Sequence, residues 1–139
     1  DRDGWLDLLL SHLIEPGLGR GRLSFVYDYP PSQAALARVS GGEEPAAERF
    51  ELYLVGMELA NGFNELTDAG EQRRRFQADL ARRAADGMAQ PPLDEAFLAA
   101  LEAGLPDCAG VALGLDRLLM AVTGSRHIDE VLAFPLERA

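Results

Sequence analysis

The chain has 139 residues, 47% of them hydrophobic, which suits one domain with a buried core and excludes a wholly disordered chain. Its net charge of −10, with arginine as the only basic residue besides histidine, argues against a surface built to bind a nucleic-acid backbone. One cysteine, Cys108, and two histidines, His12 and His127, leave no internal disulfide and no zinc cluster of the Cys/His kind, and fit a reducing cytoplasm.

The first apolar run, from Trp5 to Ile14, is broken by Asp7 and His12 and falls short of the roughly 20 apolar residues of a membrane span. Its spacing predicts a helix over 3–15, ended by Pro16-Gly17. The N-terminal Asp1-Arg2-Asp3-Gly4 has no basic stretch of a signal peptide and reads as a cut within a longer protein. Leu23 to Asp28 is rich in β-formers and is stopped by Pro30-Pro31, after which Ser32 is expected to cap a short helix through Ala37. Ser40 to Pro45 is a loop.

Two strands follow, 49–55 and 57–65, hinged at Gly56, which tolerates the positive φ of a tight turn. A polar helix near 69–86, capped by Thr67 or Asp68 and ended by Gly87, precedes a second helix from Asp94 to Gly104. Cys108 to Leu115 reads as a glycine-punctuated strand feeding a helix that holds Arg117. A short helix near Ile128 to Leu132 leads to a C-terminal tail. A hairpin plus isolated strands, without regular βαβ order, gives an α+β fold with a mostly antiparallel sheet flanked by helices.

Polar side chains inside the hairpin are the first unusual feature. Glu51, Glu58, Asn61 and Glu65 interleave with Phe50, Leu52, Leu54, Leu59 and Phe63, and buried carboxylates are costly unless a cation or donor meets them. Asn61, Phe63 and Glu65 alternate along one face, where an amide, an aromatic platform and a carboxylate suit a ligand ending in an ammonium group. A two-residue Val55-Gly56 turn puts Glu51 and Glu58 on one face but turns Asn61 to the other. Sharing one pocket therefore requires an extra residue, so a bulge is expected between Glu58 and Phe63, with Gly62 the candidate. The plainer reading is a half-exposed hairpin whose acids face water.

The second feature is Gly110-Val-Ala-Leu-Gly114-Leu-Asp-Arg117, a small-residue strand that delivers an arginine at a helix start. Glycines let a flat ligand lie on the backbone, and the arginine suits a phosphate. The alternative is an ordinary Asp116–Arg117 ion pair. The first reading expects Arg117 in the cleft of Glu58 and Glu65, its guanidinium free of any structural partner. His12 and His127 read as surface or helix-end residues, and Cys108 as buried packing.

Taken together, Arg49-Phe-Glu-Leu, Gly56-Met-Glu-Leu-Ala-Asn-Gly-Phe-Asn-Glu-Leu-Thr-Asp68, Gln72, Arg75-Phe76 and Gly114-Leu-Asp-Arg117-Leu-Leu-Met120 resemble class II lysyl-tRNA synthetases in order and spacing, over nearly all of 48–139. The resemblance implies the C-terminal portion of a class II catalytic domain across 1–139, with motif 3 present and motifs 1 and 2 not recognisable. It further implies that Glu51 and Glu58 hold magnesium on ATP, that Asn61, Phe63 and Glu65 bind lysine, that Arg117 meets the γ-phosphate and that Gly114 lies beside the adenosine. Ala112, the run Pro106-Asp-Cys-Ala-Gly110 and the run from Val26 to Ala37 resemble the shorter paralogous branch that modifies elongation factor P, in which the residue at Ala112 shapes a pocket for (R)-β-lysine. The implied cofactors are ATP and Mg2+, and the implied partners are elongation factor P, lysine or β-lysine and a second copy of the full-length enzyme. tRNA and membranes are not expected partners. A lysyl-tRNA synthetase fragment and a non-catalytic paralogue remain the alternatives.

Overall fold

The computed structural model describes residues 1–135, and the end of the expected C-terminal tail lies outside them. Four strands, β1 (Ser24–Tyr29), β2 (Ala47–Leu54), β3 (Met57–Asn64) and β4 (Ala109–Leu113), form one antiparallel sheet in the order β1-β2-β3-β4. Four helices accompany it: α1 (Arg2–Leu9), α2 (Ala69–Ala85), α3 (Glu95–Ala103) and α4 (Leu115–Thr123). The α+β class with an antiparallel sheet is thus borne out. Among the described residues no helix is long and apolar enough to cross a membrane.

Side-chain caps start the helices where the sequence predicts them. Asp68 accepts from the Glu71 amide at 2.9 Å, and Asp94 accepts from the Phe97 amide at 2.9 Å. Gly87 and Gly104, at φ +68° and +108°, follow the ends of α2 and α3. The two helices meet through the Phe76 and Phe97 rings, 6.1 Å apart, and a two-pronged Arg73–Glu95 pair at 2.9 and 2.8 Å.

The N-terminal helix departs from expectation. After Leu9 the ladder widens into a π-helical turn over Leu10–Ile14 and tightens into a 3₁₀ turn over Glu15–Gly17. Ser11 Oγ donates to the Asp7 carbonyl at 2.7 Å at this junction, a side chain competing for the helical acceptor. Ser32 is also misread as a cap. It sits inside a single 3₁₀ turn, Pro31–Gln33, and Ala35 at φ +50° ends any helix there. Its hydroxyl instead donates to Asp3 at 2.9 Å, while Gln33 Nε2 donates to Asp7 at 2.7 Å, so α1 is tied to the end of β1. Cys108 is half-buried rather than packed away, and the last expected helix is only a 3₁₀ turn, Ile128–Glu130.

The β2–β3 turn has two residues, as the spacing requires, and both take positive φ: Val55 at +54° and Gly56 at +71°. A β-branched residue resists this conformation, so the turn is clamped from outside. The Val55 amide donates to the Gly19 carbonyl at 3.0 Å and the Gly56 amide to the Leu18 carbonyl at 2.8 Å. Gly19 is obligatory for the clamp. Its φ is +71°, and a Cβ there would lie 2.4 Å from Leu54 Cα.

The Val55 side chain is 67% exposed, so its strain can be tested without disturbing packing. Val55→Asn, which creates the Asn-Gly pair this turn prefers, is expected to stabilise the chain by about 1 kcal/mol, or roughly 3–5 °C in Tm. Gly19→Ala should act in the opposite direction. Thermal melting of the two variants beside the parent is the check, and no gain for Val55→Asn would mean that the turn stores no strain.

Candidate functional site

The register of β2 against β3 changes between Leu52 and Tyr53: Leu52 faces Ala60 but Tyr53 faces Glu58, leaving Leu59 as the extra residue of β3. The bulge therefore falls between Glu58 and Phe63, at Leu59 and not at Gly62. Leu59 is buried, and its carbonyl accepts from the Gly114 amide at 2.9 Å. Gly62 has another purpose: a Cβ there would lie 2.5 Å from the Phe50 ring. Beyond the bulge the alternation resumes with opposite parity, so Glu58 joins the face of Asn61 and Phe63.

Across the sheet this face carries Val26 on β1, Arg49, Glu51 and Tyr53 on β2, Glu58, Asn61 and Phe63 on β3, and Gly110 and Ala112 on β4. Asn61 lies directly between Glu51 and Ala112, and Phe63 between Arg49 and Gly110. Phe25, Leu52, Gly62 and Val111 occupy the other face. Glu65 continues the row of Asn61 and Phe63, its amide donating to the Cys108 carbonyl at 3.0 Å. Its carboxylate Oε1 lies 2.2 Å from where a Cβ of residue 110 would be, so Gly110 leaves the space that Glu65 fills.

Glu51 is the most constrained acid of the set. Its side chain is 13% exposed, with Arg49 Nη2 donating to Oε1 and the Tyr53 hydroxyl donating to Oε2 at 2.5 Å. Burial, and then its hydrogen bond to Glu51, hold the Tyr53 phenol far above its ordinary range, so it stays a donor. Glu58 is less enclosed. Burial first and the Glu51 charge second raise its pKa above the usual carboxylate value, against the opposing pull of Arg117.

Arg117 lies in the first turn of α4 and reaches back over β3, where Nη1 donates to the Glu58 carbonyl at 2.8 Å and stands 3.7 Å from its carboxylate. The expectation of a guanidinium without a structural partner is corrected in this respect. The arginine is nonetheless half-exposed and forms no pair with Asp116. Gly114 caps α4 at an ordinary φ of −77°, and its nearest neighbours would be 3.6 Å from an added Cβ. Neither the backbone conformation nor a close contact among the described residues demands glycine there.

Among the described residues no three acidic, histidine or cysteine side chains converge as a metal cage. Two carboxylates on one face still suit magnesium, which is commonly held by one or two acids together with water and phosphate oxygens. The raised pKa of Glu58 comes first from burial and second from the charge of Glu51 on the same face. The apolar pocket lined by Phe76, Leu80, Pro91 and Leu93 touches none of these residues. Sequence reasoning missed Arg49, Tyr53 and Tyr29, although positions 49 and 53 share the parity of Glu51 and were legible as its neighbours on β2.

The family model for class II tRNA synthetases of the D, K and N type matches residues 19–138. The chain belongs to this family. Proteins named elongation factor P–(R)-beta-lysine ligase are 55% identical to it in Klebsiella pneumoniae, 55% in Vibrio cholerae and 54% in Proteus mirabilis, each over all 139 residues. The chain spans 43% of the length of these relatives. The resemblance to the elongation factor P branch is therefore borne out along the whole sequence.

The charge state of Glu58 gives a direct test of the site's electrostatics. Because its folded pKa lies above the unfolded value near 4.5, the native state binds more protons, and stability should fall as pH rises through the folded pKa. Glu58→Gln is expected to flatten this decline and to raise Tm of the ligand-free chain at neutral pH. Melts across pH 4–8 provide the measurement, and equal pH slopes for both proteins would contradict the repulsion.

Proposed function

We propose that these residues are the motif 3 half of an ATP-dependent ligase that activates (R)-β-lysine or lysine as an adenylate and transfers it to a lysine of elongation factor P. The observation that carries the reading is the single polar face created by the bulge at Leu59, which puts Glu58, Asn61 and Phe63 of β3 on the same side as Glu51 of β2. The names of the relatives support the substrate and the protein acceptor. Activity is assigned to the longer protein, as a cytoplasmic homodimer, because motifs 1 and 2 are not recognisable in these residues and the isolated segment is expected to be inactive.

The chemistry follows from the positions along the face. Glu58 and Arg117 lie at one end, and Glu65 lies seven residues on, roughly 20 Å of extended strand away. The ammonium end of the amino acid pairs with Glu65, its methylene chain lies on Phe63, and the Asn61 amide orients its polar groups. Arg117 binds the γ-phosphate and Gly114 underlies the adenosine. Glu51 and Glu58 would hold magnesium, which when bound neutralises phosphate charge and orients the triphosphate. The substrate carboxylate then attacks the α-phosphorus in line, the bond to the bridging oxygen breaks, and pyrophosphate leaves. In the second step the acceptor amine attacks the activated carbonyl, loses a proton and displaces AMP. The chain's own part is positioning and charge neutralisation.

Ala112 sets the selectivity in this reading, since it faces Asn61 directly across β3 and β4. One methyl in a close-packed pocket costs about 1–3 kcal/mol for a ligand that crowds it, which is tenfold or more in preference. In the full-length protein, Ala112→Gly should improve α-lysine relative to (R)-β-lysine by about tenfold in amino-acid-dependent pyrophosphate exchange. Glu65→Gln should weaken both substrates alike, because both lose the same charge partner. An unchanged ratio for Ala112→Gly would remove Ala112 from selectivity, and tRNA charging by the parent would favour a synthetase.

A further inference from the structure

The Arg49 guanidinium is placed unlike an ordinary structural arginine. Its side chain is 15% exposed and its charge is paired with Glu51, yet its flat group lies 4.2 Å from the Tyr29 ring centre and 5.7 Å from that of Phe63. Nη1 also donates to the Gln33 carbonyl at 3.0 Å, in the turn whose side chains hold α1. One residue thus touches the carboxylate assigned to the metal, the ring assigned to the amino acid and the turn that walls the face at β1.

We infer that Arg49 is a positioning residue that couples the metal carboxylate Glu51 to the amino-acid platform Phe63. The inference rests on the proposed function and goes beyond it, because it makes the two halves of the site interdependent. Glu51 is gripped at both oxygens, at Oε1 by Arg49 and at Oε2 by Tyr53, and a carboxylate held this way offers only its remaining lone pairs in a set direction. A planar guanidinium pairs with Glu51 and lies beside both rings at once. A lysine ammonium has the charge but not the plane. The arginine is also the charge partner of a carboxylate that is 13% exposed, so removing its charge leaves an acid without a counter-charge.

The test uses the full-length protein and follows pyrophosphate exchange while Mg2+ and amino acid are varied independently. Arg49→Lys is expected to raise the Mg2+ half-saturation and the amino-acid KM together, each about tenfold, with little change in kcat at saturation. Glu65→Gln serves as the comparison, raising the amino-acid KM without moving the Mg2+ midpoint. A role in folding alone would lower Tm and the active fraction but leave both midpoints in place, and that result overturns the inference. If Arg49→Lys fails to fold, Tyr53→Phe removes the other grip on Glu51 and should shift the Mg2+ midpoint in the same direction. An unmoved midpoint there also overturns the inference. Glu51→Gln separates the two levels. If it abolishes the dependence on Mg2+ in the millimolar range while Arg49→Lys shifts nothing, only the coupling fails; if Glu51→Gln leaves that dependence intact, the metal assignment beneath it fails as well.

Discussion

One extra residue in β3 governs everything else on the working face. Without Leu59 as a bulge, strict alternation would put Asn61 and Phe63 opposite Glu51 and Glu58, and no ligand could touch all four. The bulge persists because its side chain is buried and its carbonyl is used by the amide of Gly114. That hydrogen bond also joins β3 to the start of α4, which is where Arg117 departs. A local irregularity in one strand therefore sets both the composition of the face and the approach of the arginine above it.

The face holds its acids by two different means. Glu51 is met by donors on both oxygens, Arg49 on one and Tyr53 on the other. Glu58 has burial first and the charge of Glu51 second against it, and Arg117, 3.7 Å away, and Arg49 in its favour. The first acid is held by donors on both oxygens, and the second keeps a raised pKa.

Glycines divide by cause in the same way. Gly62 yields to the Phe50 ring, Gly110 yields to the Glu65 carboxylate, and Gly19 yields to the backbone of Leu54 at the hairpin clamp. Among the described residues nothing lies closer than 3.6 Å to a Cβ added at Gly114. Gly114 caps α4 at an ordinary φ of −77° and stands three residues before Arg117.

Much of this was legible from the sequence. The caps at Asp68 and Asp94, the two-residue turn at Val55-Gly56 and the need for a bulge all follow from local chemistry and from the period of two along a strand. The motif strings carried the family, and the roles of Glu65 and Arg117 remain proposals from that likeness. Other features were decided only by contacts between distant segments. The bulge settled on Leu59 because the Gly114 amide, 55 residues on, claims that carbonyl. Arg117 found the Glu58 carbonyl across a similar distance. Ser32 lost its helix to the positive φ of Ala35, and its hydroxyl donates to Asp3 instead. Arg49 became part of the site because folding brought Tyr29, Gln33 and Phe63 around it. Local sequence determines which conformations a segment prefers, but which donor meets which acceptor across the sheet depends on the packing of the whole chain.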